Sequence, residues 1–340
     1  MTAYVCGRKN RKASSLWLIA VLSTAWWCCG ALAASVAWQP ERPVEIVAPS
    51  APGGGTDLTA RTLQRILQEK RLVDRPVSVL NKPGGGGDVA LAYLKQRPAD
   101  GHTLEVATAL LISNHITGKS TFNHTDFLPL AQLNSEYVAF AVRADSPIKT
   151  GRDLIQTLGR DPASVSIAVG TSLAGANHVA AALATRAAGS DMKKLKLVVF
   201  KSSAESATAL LGGHVDVVAS SASLVAPHFK AGTLRLIAIT APRRSDVLFP
   251  TVPTWKEQGY DIVIDNFRAL LGPRGMSAAQ VAYWDDALAK LAQTDDWKKD
   301  LERNYWENNY MGSQESRKYF DEQYEEWRRV LSDLGLAVQR

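Results

Sequence analysis

Cysteine is almost missing from this chain of 340 residues. The sequence holds three cysteines, Cys6, Cys28 and Cys29, and all of them lie within residues 1–37. If that segment is removed, the remaining chain has neither a thiol nor a disulfide, which excludes cysteine catalysis, thiolate-ligated zinc and redox chemistry. A fold without disulfides must be stabilised by its hydrophobic core, and roughly 300 residues bury enough surface for one.

A strong excess of charge of one sign is also missing. The formal net charge is +6, and residues 1–37 contribute four basic residues and no acidic one, so subtracting their charge leaves +2. This weak excess does not indicate a nucleic-acid partner, because nucleic-acid binding needs a dense basic surface.

Long apolar runs do not occur beyond the first 37 residues. Basic residues between 8 and 12 precede an apolar run from Leu16 to Cys29, and the small-x-small sequences at 31–33 and 35–37 follow it. This order predicts a secretory signal peptide over residues 1–37 that is cleaved on export. The apolar run is shorter than the ~20 residues of a spanning helix, although an uncleaved anchor remains the alternative.

The common enzyme motifs are absent as well. There is no His-Glu-x-x-His sequence, and the six histidines are scattered without the spacing of metal ligands. Residues 170–174 resemble a nucleophile elbow, but Ala174 stands where that motif requires its second glycine. We therefore expect no metal and no cofactor. Single histidines are more often structural than catalytic, and His115 and His178 are the two that follow predicted strands near candidate loops.

What is present is an alternation of short β-type runs with helical segments. Strands are predicted at 44–48, 77–80, 103–108, 166–169, 197–200, 215–219 and 234–240, with helices between them. This pattern indicates an α/β fold with parallel sheets. Residues 280–293, 297–308 and 314–334 are predicted helices, and the last carries an apolar stripe expected to pack onto a domain: Phe320, Tyr324, Trp327 and Leu331. Since no linker divides the chain, strands at 137–142 and 262–271 are predicted to cross between two domains.

Two glycine-rich loops are the strongest local signals. Residues 52–57 and residues 83–88 each follow a predicted strand and open a predicted helix. Glycines let a ligand approach the backbone, and the positive end of the helix then favours an anion. Neither loop carries the Gly-Lys-Ser/Thr of a phosphate loop or a Gly-x-Gly-x-x-Gly dinucleotide pattern, so a carboxylate fits better than a phosphate. The alternative for each loop is a tight turn without a ligand.

These loops belong to an ordered series of motifs that runs through almost the whole chain after residue 37. The series comprises residues 43–47, 51–57, 81–87, 100–104, 211–216, 230–235, 238–240, 243–244 and 249–254. In this order it resembles the Bug-type solute-binding receptors of tripartite tricarboxylate transporters.

The resemblance implies a two-lobed α/β periplasmic-binding-protein fold, type II-like, with a ligand cleft between the lobes. The lobes are predicted at 38–140 plus 266–340 and at 141–265. Such a receptor is a periplasmic monomer that closes on a small carboxylate, which is an amino acid, a di- or tricarboxylate or an aromatic carboxylate. Its partners are membrane permease subunits or a sensor protein. The rival hypothesis is a periplasmic hydrolase or transferase on a similar scaffold, with Asp57, Asp216 and a histidine as its catalytic groups.

The resemblance also implies which residues contact the ligand. Carried over to this sequence, they are Gly54, Gly55, Thr56, Asp57, Thr108, Ser113, Asn114, Gly170, Thr171, Ser172, Asn177, His178, Ser202, Ser203, Asp216, Asn266, Phe267 and Arg268. Side chains alternate along a strand, so Asn266 and Arg268 should share the cleft face while Phe267 packs behind. Arg268 stands where many family members have a small residue. It could clamp a second carboxylate, or it could form a structural ion pair with Asp265 or another acid.

Overall fold

The computed structural model describes residues 1–5, 38–170, 173–200, 202–245 and 247–338. Met1–Ala37 and Trp38–Arg340 form two units, and every helix and strand described lies in the second. The predicted signal peptide therefore falls almost entirely outside the described residues. In the described ranges, no helix is both long and apolar enough to cross a membrane.

The described part of the chain contains eleven strands and ten α-helices. The strands are β1 (Val44–Ala48), β2 (Val77–Asn81), β3 (Thr103–Thr108), β4 (Phe127–Ser135), β5 (Val138–Arg143), β6 (Ser166–Gly170), β7 (Lys196–Phe200), β8 (Val217–Ser221), β9 (Leu234–Ile239), β10 (Arg268–Pro273) and β11 (Glu307–Met311). The helices are α1 (Gly55–Glu69), α2 (Asp88–Lys95), α3 (Leu110–Ile116), α4 (Gly151–Arg160), α5 (Ala176–Ala187), α6 (Ser203–Leu211), α7 (Ala222–Lys230), α8 (Ala278–Gln293), α9 (Asp295–Asn304) and α10 (Ser313–Asp333).

The strands form two sheets with the same plan. The first has the order β11-β4-β10-β3-β1-β2 and the second the order β7-β6-β8-β5-β9. Each sheet contains three mutually parallel strands, and the one that comes first in the chain lies between the other two: β2-β1-β3 in the first sheet and β7-β6-β8 in the second. The strand that arrives from the other sheet lies next to the third of these parallel strands and runs antiparallel to it: β10 beside β3 and β5 beside β8. The predicted alternation of strands and helices in an α/β fold is confirmed, and each sheet has a parallel part as predicted, but both sheets are mixed, because the crossing strands pair antiparallel with their neighbours on both sides.

The chain crosses between the sheets at two adjacent segments. Only Glu136 and Tyr137 separate β4 from β5, and the returning segment at Asp265 and Asn266 lies beside them. Tyr137 and Asp265 form an antiparallel bridge, and the Asn266 N–H donates to the Glu136 carbonyl over 3.0 Å. The predicted lobe boundary at 265/266 falls at this crossing, whereas the predicted boundary at 140/141 falls inside β5. The lobe limits remain a prediction.

The C-terminal helix α10 packs against the core of both sheets. Phe320, Trp327 and Leu331 are fully buried, and Tyr324 is partly buried beside them, as the apolar stripe predicts. The hydrophobic cluster that they join extends from Ala107 of β3 to Phe140 of β5. A second cluster lies between the first sheet and helices α1 and α8.

The segment after α9 differs from its prediction. The predicted helix at 297–308 ends at Asn304, because Tyr305 adopts a left-handed conformation with φ of 55°. The chain then forms β11, which pairs antiparallel with β4 at the edge of the first sheet. The burial of Trp306 at this corner favours the change of direction.

Candidate functional site

A cavity of about 340 Å³ lies where loops of the two sheets meet. Both sheets contribute the residues at or just beyond the carboxyl ends of their parallel strands, which is where ligands bind in open α/β sheets. The residues that line it are Pro49, Ser50, Gly55, Thr56, Gly86, Thr108, Ala109, Leu110, Gly175, Ala176, Asn177, Ser203, Ser221, Asn266 and Arg268.

Five helices begin at this cavity. The lining includes the first residues of α1 and α6, the residues that start α3 and α5, and Ser221, which precedes α7. The first N–H groups of a helix have no partner within it, and the helix dipole is positive at that end. The cavity therefore offers N–H donors and a positive potential from both sheets, an arrangement suited to an anion.

The first glycine loop is held in shape by Asp57. Its carboxylate accepts hydrogen bonds from the Gly53 N–H at 2.8 Å, from Asn81 Nδ2 at 2.8 Å and from Arg61 Nε at 2.9 Å. Burial alone would raise the pKa of Asp57, but these hydrogen bonds lower it below its ordinary value. All three contacts are with the protein, so Asp57 positions the loop and does not line the cavity.

The glycines of this loop permit close contacts that a side chain would block. A Cβ atom on Gly54 would lie 2.7 Å from Ser50 Oγ, and one on Gly55 would lie 3.1 Å from Arg268 Nη2. Ser50 Oγ accepts a hydrogen bond from Thr56 Oγ1 over 2.7 Å, so both hydroxyl groups have fixed positions at the cavity wall.

The second glycine loop also reaches the cavity. Gly86 has φ of 67°, and a Cβ atom there would lie 2.6 Å from Asn114 Nδ2. The Asn114 amide donates to the Gly86 carbonyl over 3.2 Å, so Asn114 supports the loop while Gly86 lines the cavity. Ser113, one residue earlier, is buried and does not line the cavity. Thr108 lines it and accepts from the Leu110 N–H at 3.3 Å, at the start of α3.

The second sheet presents its side of the site through α5 and α6. A Cβ atom on Gly170 would lie 2.4 Å from the Ser203 backbone nitrogen, so glycine there lets α6 approach the end of β6. Ser203 and Asn177 line the cavity. Ser202 caps α6 by accepting from the Glu205 N–H at 3.2 Å. Two further predicted residues, Thr171 and Ser172, lie outside the described residues.

Neither of the two histidines singled out from the sequence lines the cavity. His178 Nδ1 accepts from the Ala174 N–H at 2.9 Å, and burial lowers its pKa to about 4, so it is neutral at physiological pH. His115 Nε2 lies 3.2 Å from Asn123 Nδ2, and its ring packs near Tyr324. Both side chains have structural contacts.

Two other predicted residues lie away from the cavity. Asp216 precedes β8, at the opposite end of the sheet from Ser221, and its Oδ2 accepts from the N–H and hydroxyl of Ser166 at 2.8 and 2.6 Å. Phe267 is fully buried, 4.9 Å from the ring of Phe320. Among the described residues, no hydrogen bond joins Asp57 or Asp216 to a histidine, as the rival enzyme hypothesis would need.

Arg268 forms the structural ion pair that was one of its two predicted roles, whereas its contact with a ligand carboxylate stays a prediction. It lines the cavity next to Asn266, as the strand alternation predicts, and it also forms a buried ion pair. Its Nη2 lies 2.8 Å from Glu136 Oε2, and its Nη1 donates to the Asn266 carbonyl at 2.9 Å. The acid is Glu136, which also accepts from Ser223 Oγ of α7 at 2.6 Å. Asp265 instead accepts from Ser135 and Tyr319.

Several lining residues were not predicted from the sequence. They are Pro49, Ser50, Gly86, Ala109, Leu110, Gly175, Ala176 and Ser221. Gly86 lies in a loop whose glycines already indicated an anion site, so its signal was present. The others are small or apolar residues that follow strands, and only the convergence of both sheets makes them part of one cavity.

The sequence from residue 59 to residue 336 matches the family described as the tripartite tricarboxylate transporter family receptor. Among curated proteins, the chain is 29% identical over 299 residues to the UPF0065 protein in the gbd 5′ region of Cupriavidus necator, covering 88% of this chain and 89% of that protein. It is also 29% identical to protein BugT of Bordetella pertussis, over 69% of this chain and 72% of BugT.

Solved structures agree in fold. A TctC solute-binding protein from Polaromonas superposes with a TM-score of 0.76 at 26% identity, covering 87% of this chain and 99% of that chain. A protein of R. palustris solved with adipate has a TM-score of 0.73 at 24% identity over 88% of this chain and 99% of its own. These similarities confirm the predicted two-lobed α/β fold, and the matched family is one of receptors and not of enzymes. The chain therefore belongs to the receptor family of the tripartite tricarboxylate transporters.

Proposed function

We propose that this chain is a periplasmic receptor that binds a small carboxylate in the cavity and presents it to a membrane transporter. The observation that carries the proposal is the convergence of five helix N-termini from both sheets on one cavity. A carboxylate accepts hydrogen bonds from such N–H groups and from a hydroxyl such as that of Ser50 without needing several cationic side chains. The adipate bound by the R. palustris protein is in keeping with this ligand class.

The mechanism that we propose is hinge closure. The two lobes, residues 38–140 plus 266–340 and residues 141–265, would rotate about the crossing at Glu136–Tyr137 and Asp265–Asn266. If the first lobe boundary is placed at Tyr137 instead of at 140/141, the whole of β5 belongs to the second lobe. A ligand that contacts both lobes binds the closed state better and shifts the population towards it.

The partners follow from the family. Membrane permease subunits would accept the ligand from the closed receptor, and a sensor protein is the second partner class. Residues 1–37 would be removed during export as a signal peptide. The ligand-binding set would comprise the predicted residues that line the cavity: Gly55, Thr56, Thr108, Asn177, Ser203, Asn266 and Arg268.

The function is tested with the chain purified from the periplasm. Mass spectrometry should find its N-terminus near Ala34 or Trp38, whereas intact protein confined to the cytoplasm would refute the export step. In a thermal-shift screen of carboxylates, a ligand at a hundred times its Kd should stabilise the protein by about 2.7 kcal/mol. The ligand should be recovered unchanged; turnover would favour the enzyme hypothesis, and the absence of any binding carboxylate would refute the proposal.

A further inference from the structure

Arg268 is the one charged residue among the described residues that line the cavity. The other lining residues supply hydroxyls, one side-chain amide from each sheet, backbone and small apolar groups. The charge of the ligand that this site accepts therefore depends strongly on whether the positive charge of Arg268 is available to it.

That charge is already paired within the protein. Glu136 Oε2 lies 2.8 Å from Arg268 Nη2, and the side chains are only 4% and 8% exposed. Little water reaches the pair, so solvent does not weaken the attraction as it does between exposed charges. Seen from the cavity, the guanidinium and the carboxylate behind it are close to neutral together.

Arg268 nevertheless has an unpaired donor among the described residues, its Nε–H. Its Nε–H is buried and donates to no acceptor in the described chain, although an unpaired buried donor of a charged group is costly. The guanidinium lies against the start of α1, since a Cβ atom on Gly55 would be 3.1 Å from Nη2 and 3.9 Å from Nε. A carboxylate held by the first N–H groups of α1 would come within reach of this donor.

We propose that Glu136 sets the ligand charge that the cleft accepts. Because Glu136 cancels the charge of Arg268, the site takes a ligand with one carboxylate and an uncharged remainder, and it disfavours a second carboxylate. One carboxylate binds at the start of α1 with Arg268 Nε–H as an additional donor, while the rest of the ligand meets hydroxyl and amide groups. This inference rests on the proposed function and specifies its ligand class.

Glu136 has a second contact that the experiment must separate from its charge. Ser223 Oγ of α7 donates to Glu136 Oε1 over 2.6 Å, so this carboxylate also joins the two sheets near the crossing. Glu136→Gln removes the charge, but its single amide oxygen can accept from Ser223 only if its NH2 group faces Arg268, so one of the two hydrogen bonds of Glu136 is lost. Ser223→Ala keeps the charge and removes the contact.

The test measures, by calorimetry near neutral pH, the affinities for matched pairs of a dicarboxylate and its monoamide. The pairs are succinate with succinamate, adipate with adipamate, and terephthalate with its monoamide. Wild-type protein should bind the monoamide of the best pair at least as tightly as the dicarboxylate. In Glu136→Gln the released positive charge favours the dianion more than the monoanion, so the affinity ratio should shift at least tenfold towards the dicarboxylate.

Three control variants separate charge from structure. The ratio should change less than about twofold in Ser223→Ala and in Glu302→Gln, which removes an exposed charge on α9 away from the cavity lining. The double variant Glu136→Gln with Arg268→Gln restores the charge balance and should restore the wild-type ratio, although both ligands bind more weakly. If Glu136→Gln does not fold, Arg268→Gln alone leaves Glu136 unpaired and should shift the ratio at least tenfold against the dicarboxylate.

Two results would overturn the inference while leaving the receptor function intact. One is a wild-type preference for the dicarboxylate of more than tenfold, and the other is an unchanged ratio in folded Glu136→Gln. If no carboxylate of the wider thermal-shift screen binds to wild-type protein, the proposed function fails and the inference fails with it.

Discussion

Replacing Gly54 by alanine tests whether the first glycine loop is shaped for a ligand. Gly54 precedes α1 with extended backbone angles, φ of −72° and ψ of 162°, which alanine can also adopt. The new Cβ would lie 2.7 Å from Ser50 Oγ and 2.9 Å from Ser50 Cβ, where ordinary contacts begin at 3.4 Å. Ser50 must therefore move, and it loses its hydrogen bond from Thr56 Oγ1.

The magnitude follows from these contacts. Overpacking of this kind costs about 1–3 kcal/mol of stability. If the displaced Ser50 hydroxyl can no longer donate to the carboxylate, a hydrogen bond to a charged group worth about 1.5–3 kcal/mol is lost, which weakens binding by roughly ten- to 150-fold. Calorimetry with the best carboxylate of the screen gives the affinity, and urea unfolding gives the stability.

Gly312 provides a matched control for this substitution. It precedes α10 with φ of −70° and ψ of 179°, and like Gly54 it makes no side-chain cap. A Cβ there would meet only Asp285 Oδ1 at 3.5 Å. Gly312→Ala should cost about 1 kcal/mol or less of stability as a poorer N-cap and leave the affinity unchanged. Equal affinity of Gly54→Ala and wild type would refute the reasoning and reduce the loop to a turn.

Three further predictions concern the fold around the site. Burial raises the pKa of Asp265 to about 6, so the free energy of unfolding should fall by about 3 kcal/mol as pH rises from about 4 through about 6. In Asp265→Asn, urea unfolding should not show this fall. An identical dependence of stability on pH in the variant and the wild type would contradict the prediction. Burial raises the pKa of Glu105 well above its ordinary value, and its Oε2 has no hydrogen-bond partner among the residues that the structure describes. Glu105→Gln should therefore raise the melting temperature at neutral pH, and a fall would show that the charge is compensated. Phe320→Ala should cost about 3–5 kcal/mol by urea unfolding, because the ring is fully buried in the cluster shared by both sheets; a loss below about 1 kcal/mol would mean that α10 is not part of that core.

Elements with a regular apolar pattern could be predicted from the sequence. The predicted strands at 44–48 and 103–108 coincide with β1 and β3, because their residues are apolar and β-branched between clear turns. β4 was not predicted, since Gln132, Asn134 and Ser135 interrupt its apolar run. These three residues are fully buried, and that burial depends on tertiary contacts that a local pattern does not contain.

The site was predictable only where its signal is local. The glycines of the loop at 52–57 indicate that a ligand can approach the backbone closely, and this loop does border the cavity through Gly55 and Thr56. Asp216 was also predicted to contact the ligand, but it directly precedes β8, whereas the cavity forms at the other end of that strand. The partner of Arg268 could not be identified, because Glu136 is 132 residues away in the chain and Asp265 is the nearer acid.

The position of β10 has a consequence for how the molecule folds. β10 lies between β3 and β4 and pairs with both, yet it is synthesised only after every strand of the second sheet. Until it arrives, β3 and β4 present open edges within an apolar environment, and such edges invite aggregation. The second sheet, by contrast, is complete once β9 has formed. A chain that ended before Arg268 would therefore carry one complete sheet, while β4 would be separated from the other strands of the first sheet, and that sheet can be completed only after β11 has emerged as well.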